Sequence, residues 1–249
     1  MKRVPGWIVD VISVGFLLLI WHVITYLNLV PRTFVPSPIA VYGKIVTGLI
    51  EGMLLEQTTN TVLSMLFGWL TCSLLGIVVG CIIGIWPFAR RAIAPVLEIF
   101  RPMPPAAVIP VAIAIFGLTR EMSLAVIVFG AVWPALLATV HGFSSIEPRL
   151  QEVGRALEIS PFSFIWKIAL PNATPDIIAG MRLSMVISLV LAVITDMITG
   201  QIGLGSLVVL ASRTFDMAGL FAGLVLLSLI GFISNGLLQL AERRLLLYR

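Results

Sequence analysis

Between Glu56 and Arg90 the chain runs for 33 residues without a charged side chain, and between Glu121 and Glu147 for another 25. A hydrocarbon core about 30 Å thick is crossed by roughly 20 apolar residues of helix, so intervals of this kind are read as membrane spans. Four more follow the same pattern: Asp10 to Arg32, Arg101 to Arg120, Asp176 to Ile198 with Arg182 inside it and Asp196 near its end, and Met217 to Ala241. The composition agrees, because 59% hydrophobic residues, 11% charged residues and a mean hydropathy of +1.09 fall outside the range of soluble domains. The expected fold is an all-α integral membrane protein, one domain over 1–249. Its six transmembrane helices are placed at about 8–29, 61–86, 102–118, 122–142, 176–198 and 217–241, with a polar loop at 143–172.

Orientation follows from Lys and Arg, which accumulate on the cytoplasmic side. With the N-terminus inside, Lys2, Arg3, Arg90, Arg91, Arg101, Arg149, Arg155, Lys167, Arg243, Arg244 and Arg249 lie in the cytoplasm, against Arg32, Lys44, Arg120 and Arg213 outside. Eleven against four favours cytoplasmic N- and C-termini, and the net charge of +4 reads as a topology signal, not a nucleic-acid footprint. The Lys-Arg start imitates a secretory signal, but its apolar run is too long and no Ala-x-Ala-like site follows, so it is expected to stay as the first span. Cys72 and Cys81 are nine residues apart on one helix and face opposite sides, and no Cys or His stands at metal-ligand spacing.

The loop at 143–172 places Glu152, Arg155, Glu158 and Lys167 between two apolar stretches. Leu150, Val153 and Leu157 recur at helical spacing after Pro148. Ser160 then suits an N-cap, Pro161 the first helical position, and Phe162, Ile165, Trp166 and Ala169 an apolar face, with Leu170-Pro171 expected to end the helix. Such a helix–turn–helix either anchors in the membrane interface or docks in a groove on a soluble partner, and the pattern alone leaves both open.

These residues resemble the cytoplasmic loop of the inner-membrane permeases of binding-protein-dependent ABC importers: Glu-Ala-Ala, three residues, Gly, nine residues, Ile-x-Leu-Pro. Here Glu152 stands at the Glu position, Val153-Gly154 replaces Ala-Ala, Glu158 replaces Gly, and Ile168, Leu170 and Pro171 keep the register. With Glu158 at the glycine position, Ser160-Pro161 is expected to supply the turn. "FVPSP" at 34–38, "RPMPPAAVIP" at 101–110, "GLGSL" at 203–207 and "FD" at 215–216 are similar to the nitrate, sulfonate and taurine branch. The resemblance implies a type I ABC importer fold in the bacterial inner membrane. It also implies a second permease copy, two ATP-binding subunits, an extracytoplasmic solute-binding protein and a small anionic solute. Glu152, Arg155, Leu157, Glu158, Ser160, Pro161, Phe162, Ile168, Leu170 and Pro171 would then couple the permease to the ATPase.

No Gly-x-x-x-x-Gly-Lys-Ser/Thr loop occurs, so ATP and magnesium are expected on the partner ATPase and no cofactor on this chain. With neither His-Glu-x-x-His nor Gly-x-Ser-x-Gly present, the chain is read as a transport subunit, not an enzyme. Pro102, Pro104, Pro105 and Pro110 prevent a regular start to the third span, and irregular backbone at membrane depth lines cavities or is buried in protein. Met103, Pro104 and Pro105, with Thr195, Asp196, Met197 and Thr199 near the outer end of the fifth span, are the expected translocation path. Arg182 is expected to snorkel. The alternative reading is an ion-coupled secondary transporter or channel with Asp196 and Arg182 as its relay.

Overall fold

The computed structural model describes residues 6–245; Lys2, Arg3 and Arg249 lie outside the described residues. Eleven α-helices follow one another: α1 (Gly6–Tyr26), α2 (Pro38–Ile50), α3 (Met53–Ile85), α4 (Pro87–Phe100), α5 (Pro105–Phe116), α6 (Arg120–Ser144), α7 (Pro148–Ala156), α8 (Pro161–Phe164), α9 (Leu170–Thr199), α10 (Leu204–Arg213) and α11 (Met217–Leu245). No strand occurs among the described residues. Four helical stretches are long and apolar enough to cross a membrane: Met53–Ile85, Arg120–Ser144, Pro161–Thr199 and Met217–Arg244. The bent pair α4–α5 makes a fifth if it is counted as one span.

The core is the contact of α3, α6 and α9. The stripe Gly68, Cys72, Gly76, Gly80, Gly84 turns toward the neighbouring helices, and at Gly76 a Cβ would stand 2.9 Å from the Leu136 nitrogen and 3.1 Å from the Val132 oxygen. The backbones of α3 and α6 therefore meet through small residues, the packing that lipid-embedded helices use where no hydrophobic force drives them together. Cys72 and Cys81 are both free thiols. From α3, the Trp69 indole N–H donates to the Met181 carbonyl of α9 at 2.9 Å. Met65, Met122, Val126, Ile127, Leu191 and Leu204 fill the centre.

The sequence expected one span over 102–118. Instead α5 has 12 residues, about 18 Å of helix, and α4 meets it at 90°. Prolines at 102, 104 and 105 remove donors across the junction, so the helix cannot continue and the chain turns. Gly117, at φ +69°, ends α5, and the Thr119 hydroxyl caps α6 by accepting from the Met122 N–H.

Arg182 pairs with Glu242 near the end of α11, both side chains being about one-third exposed. Two charges on one side of the bundle thus neutralise each other.

At the other end of α9, Asp196 accepts from the Thr61 hydroxyl of α3 at 2.7 Å, and that same oxygen accepts the Leu204 N–H of α10 at 2.8 Å. Nearby, Asp216 caps α11 by accepting from the Gly219 N–H at 2.9 Å and pairs with Lys44 of α2 at 2.8 Å.

Candidate functional site

Residues 145–169 form a compact helix–turn–helix on one end of the bundle. α7 closes in a left-handed turn: the Leu157 N–H reaches the Val153 carbonyl and the Ile159 N–H reaches the Gly154 carbonyl, both at 3.0 Å, around Glu158 at φ +49°. The turn expected of Ser160-Pro161 is thus made by Glu158 itself, a residue that adopts this conformation at a cost. Ser160 follows as the N-cap of α8, its hydroxyl accepting from the Ser163 N–H at 3.3 Å.

Leu170-Pro171 does not end the second helix. Residues Ile165–Ala169 widen into one π-helical turn, and the Leu170 N–H reaches back to the Ile165 carbonyl. Pro171 has no N–H for the Lys167 carbonyl and would crowd it; the wider turn accommodates that, after which Pro171 sits in the first turn of α9, where proline is tolerated. Pro161–Thr199 is therefore one continuous helix of 39 residues, widened at the π turn.

This segment has two faces. Inward, Phe164, Ile165 and Leu170 pack against Phe143, Ile146, Ala169 and Ala173. The Phe164 ring lies so close to Gly154 that a Cβ there would stand 2.9 Å from it, which accounts for the glycine in place of alanine. Outward stand Leu157 at 67%, Phe162 at 71% and Trp166 at 57% exposure, with the last two rings 6.1 Å apart. Glu152, Ser160, Pro161 and Pro171 are exposed, Ile168 is half-buried, and the side chain of Arg155 lies outside those described.

A groove of about 770 Å³ runs between the α4–α5 junction, α6 and α9. Met103, Pro104 and Pro105 line it, together with Arg101 and Trp133, whose part the sequence gave no sign of. Thr195, Asp196, Met197 and Thr199 do not. Thr195 and Asp196 are buried, and Asp196 borders a different cavity of about 640 Å³ with Asn60, Arg120 and Gln201. Arg182 and Asp196 stand fourteen residues apart on one helix, about 21 Å, each with its own partner, so they form no relay pair.

Apolar helices packed through small residues, a groove beside a proline break and an apolar knob on the end of the bundle are features of a multi-pass membrane protein. Residues 73–247 match the family described as "Binding-protein-dependent transport system inner membrane component", and the chain belongs to that family. It is 28% identical over 98% of its length to the putative aliphatic sulfonates transport permease protein SsuC of Bacillus subtilis, covering 88% of that protein. To the taurine transport system permease protein TauC of Escherichia coli it is 25% identical, covering 94% of this chain and 86% of that one. In fold it resembles an inward-facing structure of the MetNI methionine ABC transporter, with a TM-score of 0.65 at 19% identity over 78% of this chain and 95% of the other.

Proposed function

We propose that this chain is the membrane-spanning subunit of an ATP-driven importer of a small anion. Two copies enclose the path, two ATPase subunits bind at the α7–α8 end in the cytoplasm, and an extracytoplasmic binding protein delivers the solute. The termini are cytoplasmic, and ATP with its magnesium binds only the partner ATPase. The single observation that carries this reading is the outward apolar face of Leu157, Phe162 and Trp166 on a segment that also carries the charges of Glu152, Glu158 and Lys167. Side chains of that kind, held by a rigid inward face, fit a groove on a soluble protein.

The geometry also supplies a route for the motion. α8 continues into α9 through the π turn, and α9 borders the groove, so displacement of Phe162 by a closing ATPase pulls directly on the wall of the path. Alternating access follows, with ATP binding opening the groove outward. Six membrane crossings, with α1 and the α4–α5 pair each counted as one, complete the expected topology.

Reconstitution of the permease, the ATPase subunit and the binding protein in liposomes tests the proposal. Solute uptake should require all three and ATP. Uptake by the permease alone, driven by an ion gradient, would replace this reading with the secondary transporter. Single cysteines at Val46 and Val208, with Cys72 and Cys81 replaced, should label from outside, and one at Ser160 only from inside.

A further inference from the structure

We infer that α4 lies in the plane of the membrane as an interfacial helix, with one apolar strip among the acyl chains and with Arg90 and Arg91 on the acidic phospholipid headgroups of the leaflet at the α7–α8 end. This placement needs the membrane spans only, not the importer reading.

α4 carries three distinct sides. At about 100° per residue, Phe88, Ala92, Val96 and Ile99 fall within an arc of about 80°. All four are exposed, Phe88 at 84% and Ile99 at 67%. Arg91 and Glu98, also exposed, share a second strip about 110° round the helix. Ile93, Ala94 and Leu97 are half-buried and form the third, the side turned to the rest of the chain. A helix that crosses lipid is apolar all round, whereas one that separates charge from an apolar strip along its whole length suits the boundary between headgroups and acyl chains.

The neighbours of α4 fix its depth. Arg90 borders the same cavity as Phe143 and Ser144 of α6, and Arg101, just after the helix, borders the same groove as Leu137 and Ala138. Those pairs lie six residues apart on α6, about 9 Å along that membrane-crossing helix, while the 14 residues of α4 measure about 21 Å. α4 therefore runs nearer to the membrane plane than to its normal, as its 90° angle to α5 also requires. Trp86 stands where α3 turns into α4 and is 62% exposed, at the level where tryptophan rings accumulate.

Charge selects the lipid. Arg90, Arg91 and Arg101 outnumber Glu98, and among the described residues none of the three arginines has an ion pair. Arg91 stands on the polar strip, and Arg90 beside it in sequence has a stem long enough to reach the same level. A guanidinium meets phosphate oxygens in two parallel hydrogen bonds, and basic residues gather on bilayer surfaces that carry acidic headgroups.

The full-length permease in nanodiscs of phosphatidylcholine with phosphatidylglycerol provides the test. Spin labels are placed on single cysteines at Phe88, Ile99 and Glu98, with Cys72 and Cys81 replaced. Labels at 88 and 99 should be relaxed by oxygen and shielded from a water-soluble nickel chelate, and the label at 98 should show the reverse. Nickel access at 88 and 99 overturns the interfacial placement. Shielding there that needs the ATPase subunit, or dipolar broadening between labels of two copies, would give the strip to a protein and overturn it as well. Headgroup recognition is read by native mass spectrometry of the permease from mixed lipids. Wild type should retain phosphatidylglycerol over phosphatidylcholine, and the preference should fall several-fold in the Arg90→Gln, Arg91→Gln double variant with the label pattern kept. An unchanged preference in that variant would contradict recognition by these arginines.

Discussion

Thr61 and Asp196, 135 residues apart in the chain, are joined by a buried hydrogen bond of 2.7 Å, and the Thr61 oxygen simultaneously accepts the Leu204 N–H. One hydroxyl thus fastens α3 to the end of α9 and the start of α10. Gly203 and Gly205 pack against the Asp196 carboxylate and its Cβ so closely that a side chain at either position would collide with it. Asp196, which also borders the cavity shared with Asn60, Arg120 and Gln201, is one half of this clasp.

Thr61→Val keeps the shape and removes the hydroxyl, leaving the Leu204 N–H and the carboxylate without this partner. The expected loss of stability is about 2–3 kcal/mol. Asp196→Asn retains an acceptor for Thr61 and should cost less. Thermal unfolding of the two variants in detergent checks the order; a loss below roughly 0.5 kcal/mol in Thr61→Val would deny the clasp.

Glu158 occupies a left-handed conformation that costs a non-glycine residue about 1–2 kcal/mol. Glu158→Gly should therefore stabilise the α7–α8 turn by roughly 1 kcal/mol, read as slower proteolysis of the loop and a higher unfolding temperature. Faster cleavage would show that the glutamate side chain contributes more than its backbone costs.

At the opposite end of the bundle, the Lys44 ammonium hydrogen-bonded to Asp216 holds that carboxyl below the usual range, with the Gly219 N–H assisting and partial burial opposing. Because the folded form resists protonation, the unfolded chain takes up the proton first as pH falls. The contribution is complete above the ordinary aspartate pKa of about 3.9 and is lost as pH drops through the lower folded value. Asp216→Asn keeps the helix cap and removes the charge, so the wild type should lead modestly at neutral pH, given the exposure of both groups, and lose that lead in acid. A lead that grows in acid would reverse the assignment.

The long spans were legible because α3, α6, α9 and α11 each contain charge-free runs. Other elements were hidden by the same rule. Arg90, Arg91 and Glu98 interrupt α4, so hydropathy passes over a helix that turns 90° into α5. Pro171 reads as a stop, yet the π turn before it carries the helix through. The partners of Arg182 and Asp196 lie 60 and 135 residues away, beyond any periodicity. In the candidate sites, helical spacing grouped Phe162, Ile165, Trp166 and Ala169 on one face, whereas the fold leaves Phe162 and Trp166 outward and turns Ile165 and Ala169 into the core.

The account turns on the α7–α8 face, and Phe162→Asp tests it most directly. If Phe162 enters a groove on the ATPase subunit, the substitution buries an unpaired charge, costing several kcal/mol, while the inward face of Phe164 and Ile165 keeps the segment folded. Co-purification of the ATPase with the permease, measured alongside ATP-dependent uptake, should fall to background in Phe162→Asp with membrane insertion unchanged. Full recovery of the ATPase with uptake retained would contradict coupling through this face.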